Sequence, residues 1–272
     1  MENMKKISLV YMLAGLSSRF GGKAKAFAKV GPGGETLLEY SLNQALLNGF
    51  KKIIFIVSHK TEKQFRDYFG NSYRGIPIVY ALQEYDESLR VRPWGTNDAL
   101  CSAKDLINGP FVICNGDDIY GEEVFSILFD HLNENKNNMT LGYKLGNVMP
   151  DKGAFNRGIF EEENGFVKKI TETLGIEENN LEEKGLNKND LCSMNLFGLR
   201  KETLDMLYEK LVKFKEEHKN NPKIECYLPT ELNNLISEGK IKMKIYETDE
   251  SCLGVTNPED ESILRDKLKL VS

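Results

Sequence analysis

The sequence predicts an α/β protein built on a doubly wound, mostly parallel, Rossmann-like sheet with a small C-terminal lobe. Three observations carry that expectation. Short apolar runs alternate with helix-period segments through the first 145 residues, the texture turns polar and glycine-punctuated after Met149-Pro150, and no repeat or low-complexity linker separates two units. Alternation of this kind requires crossovers, and crossovers make neighbouring strands parallel. The expected organisation is a single domain over 1–272, with a first half of 1–145 and a second of 146–272.

The elements follow in order. Ile7-Ser-Leu-Val-Tyr11 opens a strand over 7–12. Leu37, Leu38, Ser41, Leu42, Ala45 and Leu46 trace one stripe of a helix over 36–49, closed by Gly49 as a C-terminal cap. Ile53-Ile-Phe-Ile-Val57 has no polar interruption and belongs in mid-sheet, buried on both faces. A helix over 61–69, a strand over 77–81, a helix over 97–107, a strand over 111–114, a helix over 122–134 and a strand over 139–144 continue the alternation. The acidic, Asn-rich stretch 176–190 reads as an exposed loop or short arm whose charge is solvated. A strand-like Cys192–Phe197, helices near 201–218 and 229–237, a strand over 241–246 and a closing helix from Pro258 complete the chain.

A chain of 272 residues with 40% apolar content buries enough surface to need no disulfides. Five cysteines without a Cys-x-x-Cys pair, and only three histidines, argue against a zinc site. No apolar run approaches a membrane span, the N-terminus lacks a signal-peptide core, and a cytoplasmic protein without a membrane partner is expected. The net charge of −5 argues against a nucleic-acid partner, so any anionic ligand must be held by local positive charge.

That local charge follows the first strand. Met12 to Lys25 is rich in Gly and Ser and carries Arg19 and Lys25, the composition of a loop that gathers backbone N–H groups around phosphate. It is not a Walker loop, since Ser17 and Ala24 flank Lys23 at the diagnostic positions, nor a dinucleotide fingerprint, which Gly15-Leu-Ser17 breaks. The strand ending at Cys114 runs into Asn115-Gly-Asp-Asp-Ile-Tyr-Gly121. Ligands of an open sheet sit beyond the carboxyl ends of its strands, which places Asp117 and Asp118 beside the first loop, as a Mg²⁺ site would need. In Arg92-Pro-Trp-Gly-Thr-Asn-Asp-Ala99, Gly95 permits close backbone approach and Thr96 reads as an N-cap, so the turn serves either a base edge or a helix start.

Together these segments resemble the sugar-1-phosphate nucleotidyltransferases, the enzymes that make nucleoside-diphosphate sugars. Their signature loop is Leu-Ala-Ala-Gly-x-Gly-x-Arg followed by a Lys; here Leu13 replaces the first Ala and Ser17 the second Gly. The resemblance implies nucleotide contacts from Leu13, Ala14 and Gly15, catalytic charge from Arg19 and Lys25, and a metal on Asp117. It implies base reading by Gln83, Gly95 and Thr96, although an insertion separates Gln83 from Gly95. It also implies acceptor contacts from Gly158 and Glu172, in the strand-like pieces Arg157–Glu161 and Gly165–Glu172, and from Asn195. The Lys usual after the sugar Glu is absent, with Thr173 in its place. Counting back from Asn257-Pro258-Glu259-Asp260 puts Gly254 where the resemblance implies a second metal Asp, so either Asp249 is the substitute, the reading favoured, or Asp117 holds the metal with phosphates and water only.

The expected reaction joins a sugar 1-phosphate to a nucleoside triphosphate, favouring UTP because the Gly-Thr-x-x-Ala variant is common in uridylyltransferases, and releases pyrophosphate with Mg²⁺. Two rivals remain at this stage. One is cytidylyl transfer to another phosphorylated acceptor such as phosphocholine, with Tyr143, Phe155 and Phe197 supplying an aromatic cage. The other is a non-catalytic nucleotide-sugar-binding protein.

Overall fold

The computed structural model describes residues 6–15, 24–150, 153–255 and 260–269. The strands are β1 (Ser8–Met12), β2 (Lys52–Val57), β3 (Ser72–Tyr73), β4 (Ile76–Leu82), β5 (Phe111–Asn115), β6 (Asp118–Ile119), β7 (Asn138–Lys144), β8 (Phe155–Glu163), β9 (Phe166–Ile176), β10 (Leu191–Cys192), β11 (Phe197–Leu199), β12 (Met243–Thr248) and β13 (Leu253–Gly254). The α-helices are α1 (Leu37–Ala45), α2 (Glu62–Phe69), α3 (Thr96–Ser102), α4 (Glu122–Glu134), α5 (Leu145–Val148), α6 (Lys201–Glu217), α7 (Leu228–Ser237) and α8 (Asp260–Lys269). The Pro258 start expected for the last helix lies outside the described residues.

Eleven strands form one sheet in the order β10-β8-β9-β12-β7-β11-β5-β1-β2-β4-β3, and β13 pairs with β6 in a separate two-stranded ribbon. The expected parallel core is present, since β1 pairs parallel with both β2 and β5, and β2 with β4. The sheet as a whole is mixed, which corrects the mostly parallel, Rossmann-like expectation. β11 enters antiparallel between β5 and β7, and β8 and β9 make an antiparallel hairpin. The alternation reports crossovers in the first half; in the second half the two-residue connection makes β8 and β9 antiparallel, while β12 returns to pair parallel with β7. The hairpin turns at Asn164 and Gly165, both with positive φ, the backbone that a two-residue hairpin needs for its strands to keep their twist.

Helices cover both faces. Leu9 and Tyr11 of β1 and Phe55 of β2 pack with Leu38 and Leu42 of α1, Phe65 of α2 and Leu128 of α4. The alternate residues Val10, Ile54 and Ile56 pack on the other side with Leu100 of α3, Leu204 and Leu207 of α6 and Leu232 of α7. Ile53 through Val57 are all inaccessible to solvent, so β2 is the mid-sheet strand its composition required. Each such side chain contributes about 1.5–3 kcal/mol of burial energy. The first helix starts with a capping box, Thr36 Oγ1 accepting from Glu39 N and Glu39 Oε2 from Thr36 N, then tightens over Leu46–Asn48 into left-handed Gly49.

A smaller cluster positions the site. Leu264 and Leu268 of α8 pack with Ala28, Val30, Leu37, Ile119 and Val255, which holds the C-terminal segment against the region following β1. The acidic stretch is not wholly solvated, because Leu181 is buried in the core beneath it. The run expected as one strand over 192–197 divides into β10 and β11, since Asn195 adopts φ +56 and turns the chain at that point. Among the described residues, no helix is long and apolar enough to cross a membrane.

Candidate active site

The carboxyl edge of β1 lies between β2 and β5. Leu13 N donates to Ile56 O at 2.7 Å and Gly116 N to Met12 O at 3.1 Å, tying the start of the first loop to both neighbours. A Cβ on Gly116 would fall 1.9 Å from Leu13 Cδ2, so that glycine is what lets the two loops touch. Ala14 O accepts from Ser58 Oγ at 2.9 Å, whereas a Cβ on Gly15 would meet no atom of the described residues within 4 Å. Arg19 lies outside the described residues. Lys25 opens a short 3-10 turn, and its Nζ stands 3.6 Å from Asp117 Oδ2. The structure therefore brings the loop lysine and the first carboxylate together across more than ninety residues of chain.

Asp118 stands beside Asp117. Asn115 Nδ2 donates to Asp118 Oδ2 at 2.9 Å, and the two-stranded ribbon pairs Asp118 with Gly254. A Cβ on Gly254 would come within 2.8 Å of Asp118 Oδ1 and 3.0 Å of Asp117 O. The position to which the sequence resemblance assigned a second Asp thus faces the carboxylate pair, and Asp118 Oδ1 stands in the space a side chain there would need. Burial first, and the adjacent Asp117 charge second, raise the Asp118 carboxyl above its ordinary value. Asp249 stands elsewhere: its side chain is 84% exposed and pairs with Lys144 Nζ at 2.7 Å. Among the described residues no group of three or more His, Cys, Asp or Glu could hold a metal ion. Two adjacent carboxylates still fit Mg²⁺, a hard cation that keeps several waters and takes its remaining oxygens from phosphate.

Tyr120 braces this corner. Its buried hydroxyl accepts from Asn115 N at 2.9 Å and donates to Met194 O at 3.2 Å, bridging the end of β5 to the turn before β11. Tyr143 OH in turn donates to Tyr120 O at 2.8 Å.

A cavity of about 190 Å³ extends from the carboxylates. Asn115, Asp117 and Asp118 line one end, Gly158, Glu172 and Asn195 contribute to the rest, and Asn156, Arg157, Ser193, Met194 and Pro229 complete it. Gly158 and Glu172 are cross-strand partners on β8 and β9, and a Cβ on Gly158 would press on Ile170 at 3.0 Å and approach Glu172 Oε2 at 3.7 Å. Ser193 N donates to Gly158 O at 2.8 Å, and Ser193 Oγ accepts from Asn195 N at 3.2 Å, so the turn that presents Asn195 is anchored to β8. Desolvation raises Glu172 above its ordinary value, with the Arg157 charge opposing. Arg157 and Ser193 were not among the site residues expected from sequence; each is an ordinary polar residue whose role shows only once β8, β9 and β10 are paired.

The Gly95 turn takes a form the sequence left open. Gly95, at φ +99, is itself the N-cap of α3, which corrects the expectation that Thr96 caps the helix. Thr96 Oγ1 instead accepts from Leu228 N at 2.9 Å, joining α3 to the start of α7. A Cβ on Gly95 would meet the Cys226 backbone at 2.6–3.0 Å, so the close approach is to the chain's own backbone. Gln83 does reach this turn despite the insertion, its Nε2 donating to Gly95 O at 3.1 Å and to Asp98 Oδ2 at 2.8 Å. The insertion is pinned by Arg90, which stacks 3.3 Å from the Trp94 ring centroid and donates to Asn221 O at 2.9 Å.

The nucleotidyl transferase family matches residues 23–244, and the chain belongs to that family. Its fold is that of solved sugar-1-phosphate nucleotidyltransferases. A putative glucose-1-phosphate thymidylyltransferase from Bacillus anthracis superposes with a TM-score of 0.71 at 13% identity, over 97% of this chain and 95% of that one. A UDP-glucose pyrophosphorylase complexed with UDP-glucose superposes at 0.67 with 15% identity, over 98% of this chain and 100% of that one. In sequence, the chain is 33% identical over 95 residues to the bifunctional protein GlmU of Methanococcus maripaludis. It is 27% identical over 95 residues to the UTP–glucose-1-phosphate uridylyltransferase AglF of Haloferax volcanii. Each match covers 35% of this chain, but only 20% and 36% of those relatives' own lengths.

Proposed function

We propose that this protein transfers a nucleotidyl group from a nucleoside triphosphate, UTP in the first instance, to a sugar 1-phosphate, and releases pyrophosphate with Mg²⁺ as cofactor. The observation that carries this reading is a single cavity with phosphate chemistry at one end and hydroxyl chemistry at the other. Asp117, Asp118 and Lys25 meet where β1 and β5 end, and Glu172, Gly158 and Asn195 form the far part of the lining. UTP is favoured over dTTP by the uridylyltransferase among the sequence relatives.

The attacking group is the sugar phosphate oxygen, aimed in line at the α-phosphorus. A phosphate monoester has a second pKa of about 6 and is already largely dianionic at neutral pH, so no general base is required. The described part of the cavity lining holds no histidine. Catalysis then rests on positioning and charge neutralisation. Lys25 offers its ammonium to the triphosphate, in company with Arg19 of the same loop. Glu172 accepts hydrogen bonds from the sugar hydroxyls, Asn195 offers an amide, and Gly158 leaves room for the ring. Asp117 and Asp118 would hold Mg²⁺, which when bound neutralises triphosphate oxygens. Gln83 and Gly95 shape the turn against which the base would rest, rather than offering free donors to it.

The phosphocholine alternative loses its cage. Tyr143 and Phe197 are fully buried in the core, leaving Phe155 with the Arg157 guanidinium 5.3 Å from its ring. The test is pyrophosphate release measured over UTP, dTTP, CTP, ATP and GTP, each crossed with glucose 1-phosphate, N-acetylglucosamine 1-phosphate and phosphocholine. Turnover is expected with UTP and a sugar 1-phosphate, and Lys25→Ala is expected to lower it about 100- to 1000-fold. Release only with phosphocholine, or with no pair at all, would refute the proposal.

A further inference from the structure

Arg157 is the one cation in the described lining of the cavity, which also contains Asp117, Asp118 and Glu172. Its guanidinium is poorly used by the protein. Nη1 donates to the backbone carbonyl of Asn156 at 2.9 Å, the ring of Phe155 stands 5.3 Å away, and Nε is shut off from solvent without a hydrogen-bond partner among the described residues. A buried N–H left unsatisfied costs about 1–3 kcal/mol, more when charged, so this donor is suited to an acceptor that the described residues do not supply. Arg157 lines the same cavity as Asp118 and Glu172, and its charge opposes the burial that raises both carboxyls.

We infer that Arg157 turns its guanidinium into the cavity and there grips the phosphate of the acceptor through Nε and its outer amino group. This rests on the reading of the cavity as the acceptor site. A sugar whose hydroxyls engage Glu172 and Asn195 directs its phosphate toward Arg157, and a guanidinium fork matches two phosphate oxygens at once. Register then makes a specific statement. Arg157 on β8 pairs with Thr173 on β9, so the two side chains share one face of the hairpin and the cross-strand neighbour contributes no charge. A cation placed at residue 173 would stand beside the same phosphate.

Two measurements test this. In the first, the arginine Nε–H resonances of the ¹⁵N-labelled wild type are followed while inorganic phosphate is added, and the Arg157 signal is assigned by its loss in Arg157→Gln. That signal is expected to shift saturably. In the second, Arg157→Gln is expected to raise the KM for glucose 1-phosphate about 10- to 100-fold while leaving the KM for UTP within about twofold, and Arg157→Gln with Thr173→Lys is expected to recover most of the loss. A purely structural arginine would not be rescued from the neighbouring strand. An Nε–H signal unmoved at saturating phosphate overturns the inference, as does a rise confined to the KM for UTP. A signal that shifts in a protein that releases no pyrophosphate supports the phosphate grip and refutes the catalytic reading instead.

Discussion

Removing one oxygen atom from the corner of the site should loosen both ends of it. In Tyr120→Phe the ring keeps its packing against Phe125, 6.1 Å between centroids, while the hydroxyl that accepts from Asn115 N and donates to Met194 O is lost. Tyr120 is fully buried, and the vacated space is about the size of one hydroxyl, too small for water to restore both bonds. The Asn115 N–H and the Met194 carbonyl are then left without their partner, at about 1–3 kcal/mol for each group. The 3.2 Å bond to Met194 is the longer of the two, so the total is set at about 2–4 kcal/mol. With a urea slope near about 3 kcal/mol/M for a chain of this size, the midpoint should fall by about 1 M. Because Asn115 precedes the carboxylates and Met194 precedes Asn195, the same variant should bind Mn²⁺ and glucose 1-phosphate more weakly. A midpoint within about 0.2 M of wild type, with both ligands bound normally, would show that Tyr120 does not brace the site.

Three further outcomes follow from the same geometry. Gly95→Ala places a Cβ 2.6–3.0 Å from the Cys226 backbone at φ +99, which should cost about 2–5 kcal/mol from overpacking and left-handed strain together; a loss under about 1 kcal/mol in urea melts would contradict that contact. Asp117→Asn and Asp118→Asn should each weaken Mn²⁺ binding in the presence of UTP at least about tenfold by electron paramagnetic resonance, whereas Asp249→Ala, already paired with Lys144, should leave it unchanged; weakening in the Asp249 variant would restore that residue as a ligand. His131 is held below its ordinary pKa, first by burial, with ring nitrogens on Tyr246 OH and Asn137 O; the unfolded chain therefore takes up the proton first, and stability should be full above pH ~6.5 and fall as pH drops below it. Melting temperatures from pH 5 to 8 should show that slope in the wild type and a shallower one in His131→Gln, and equal slopes would remove His131 from the account.

The sequence by itself determined whatever depends on a few neighbouring residues. The apolar run of β2, the stripe of α1, the Gly/Ser character of the first loop and the Asp-Asp turn after β5 are local patterns, because strand and helix periods and turn chemistry are set within one or two turns of chain. The missing carboxylate at Gly254 was legible in the same way, by spacing from the motif after it. What only the tertiary structure decided were relations between distant segments. Asp118 faces Gly254 through a ribbon closed across 136 residues, Arg157 meets Thr173 by hairpin register, and Thr96 serves Leu228 rather than its own helix. Asp249 shows the difference most directly. Its distance along the chain made it a reasonable metal ligand, but its side chain is exposed and engaged by Lys144. Strand pairing has a period of two, so one residue of register decides which face a side chain occupies, and nothing within either strand alone specifies that register.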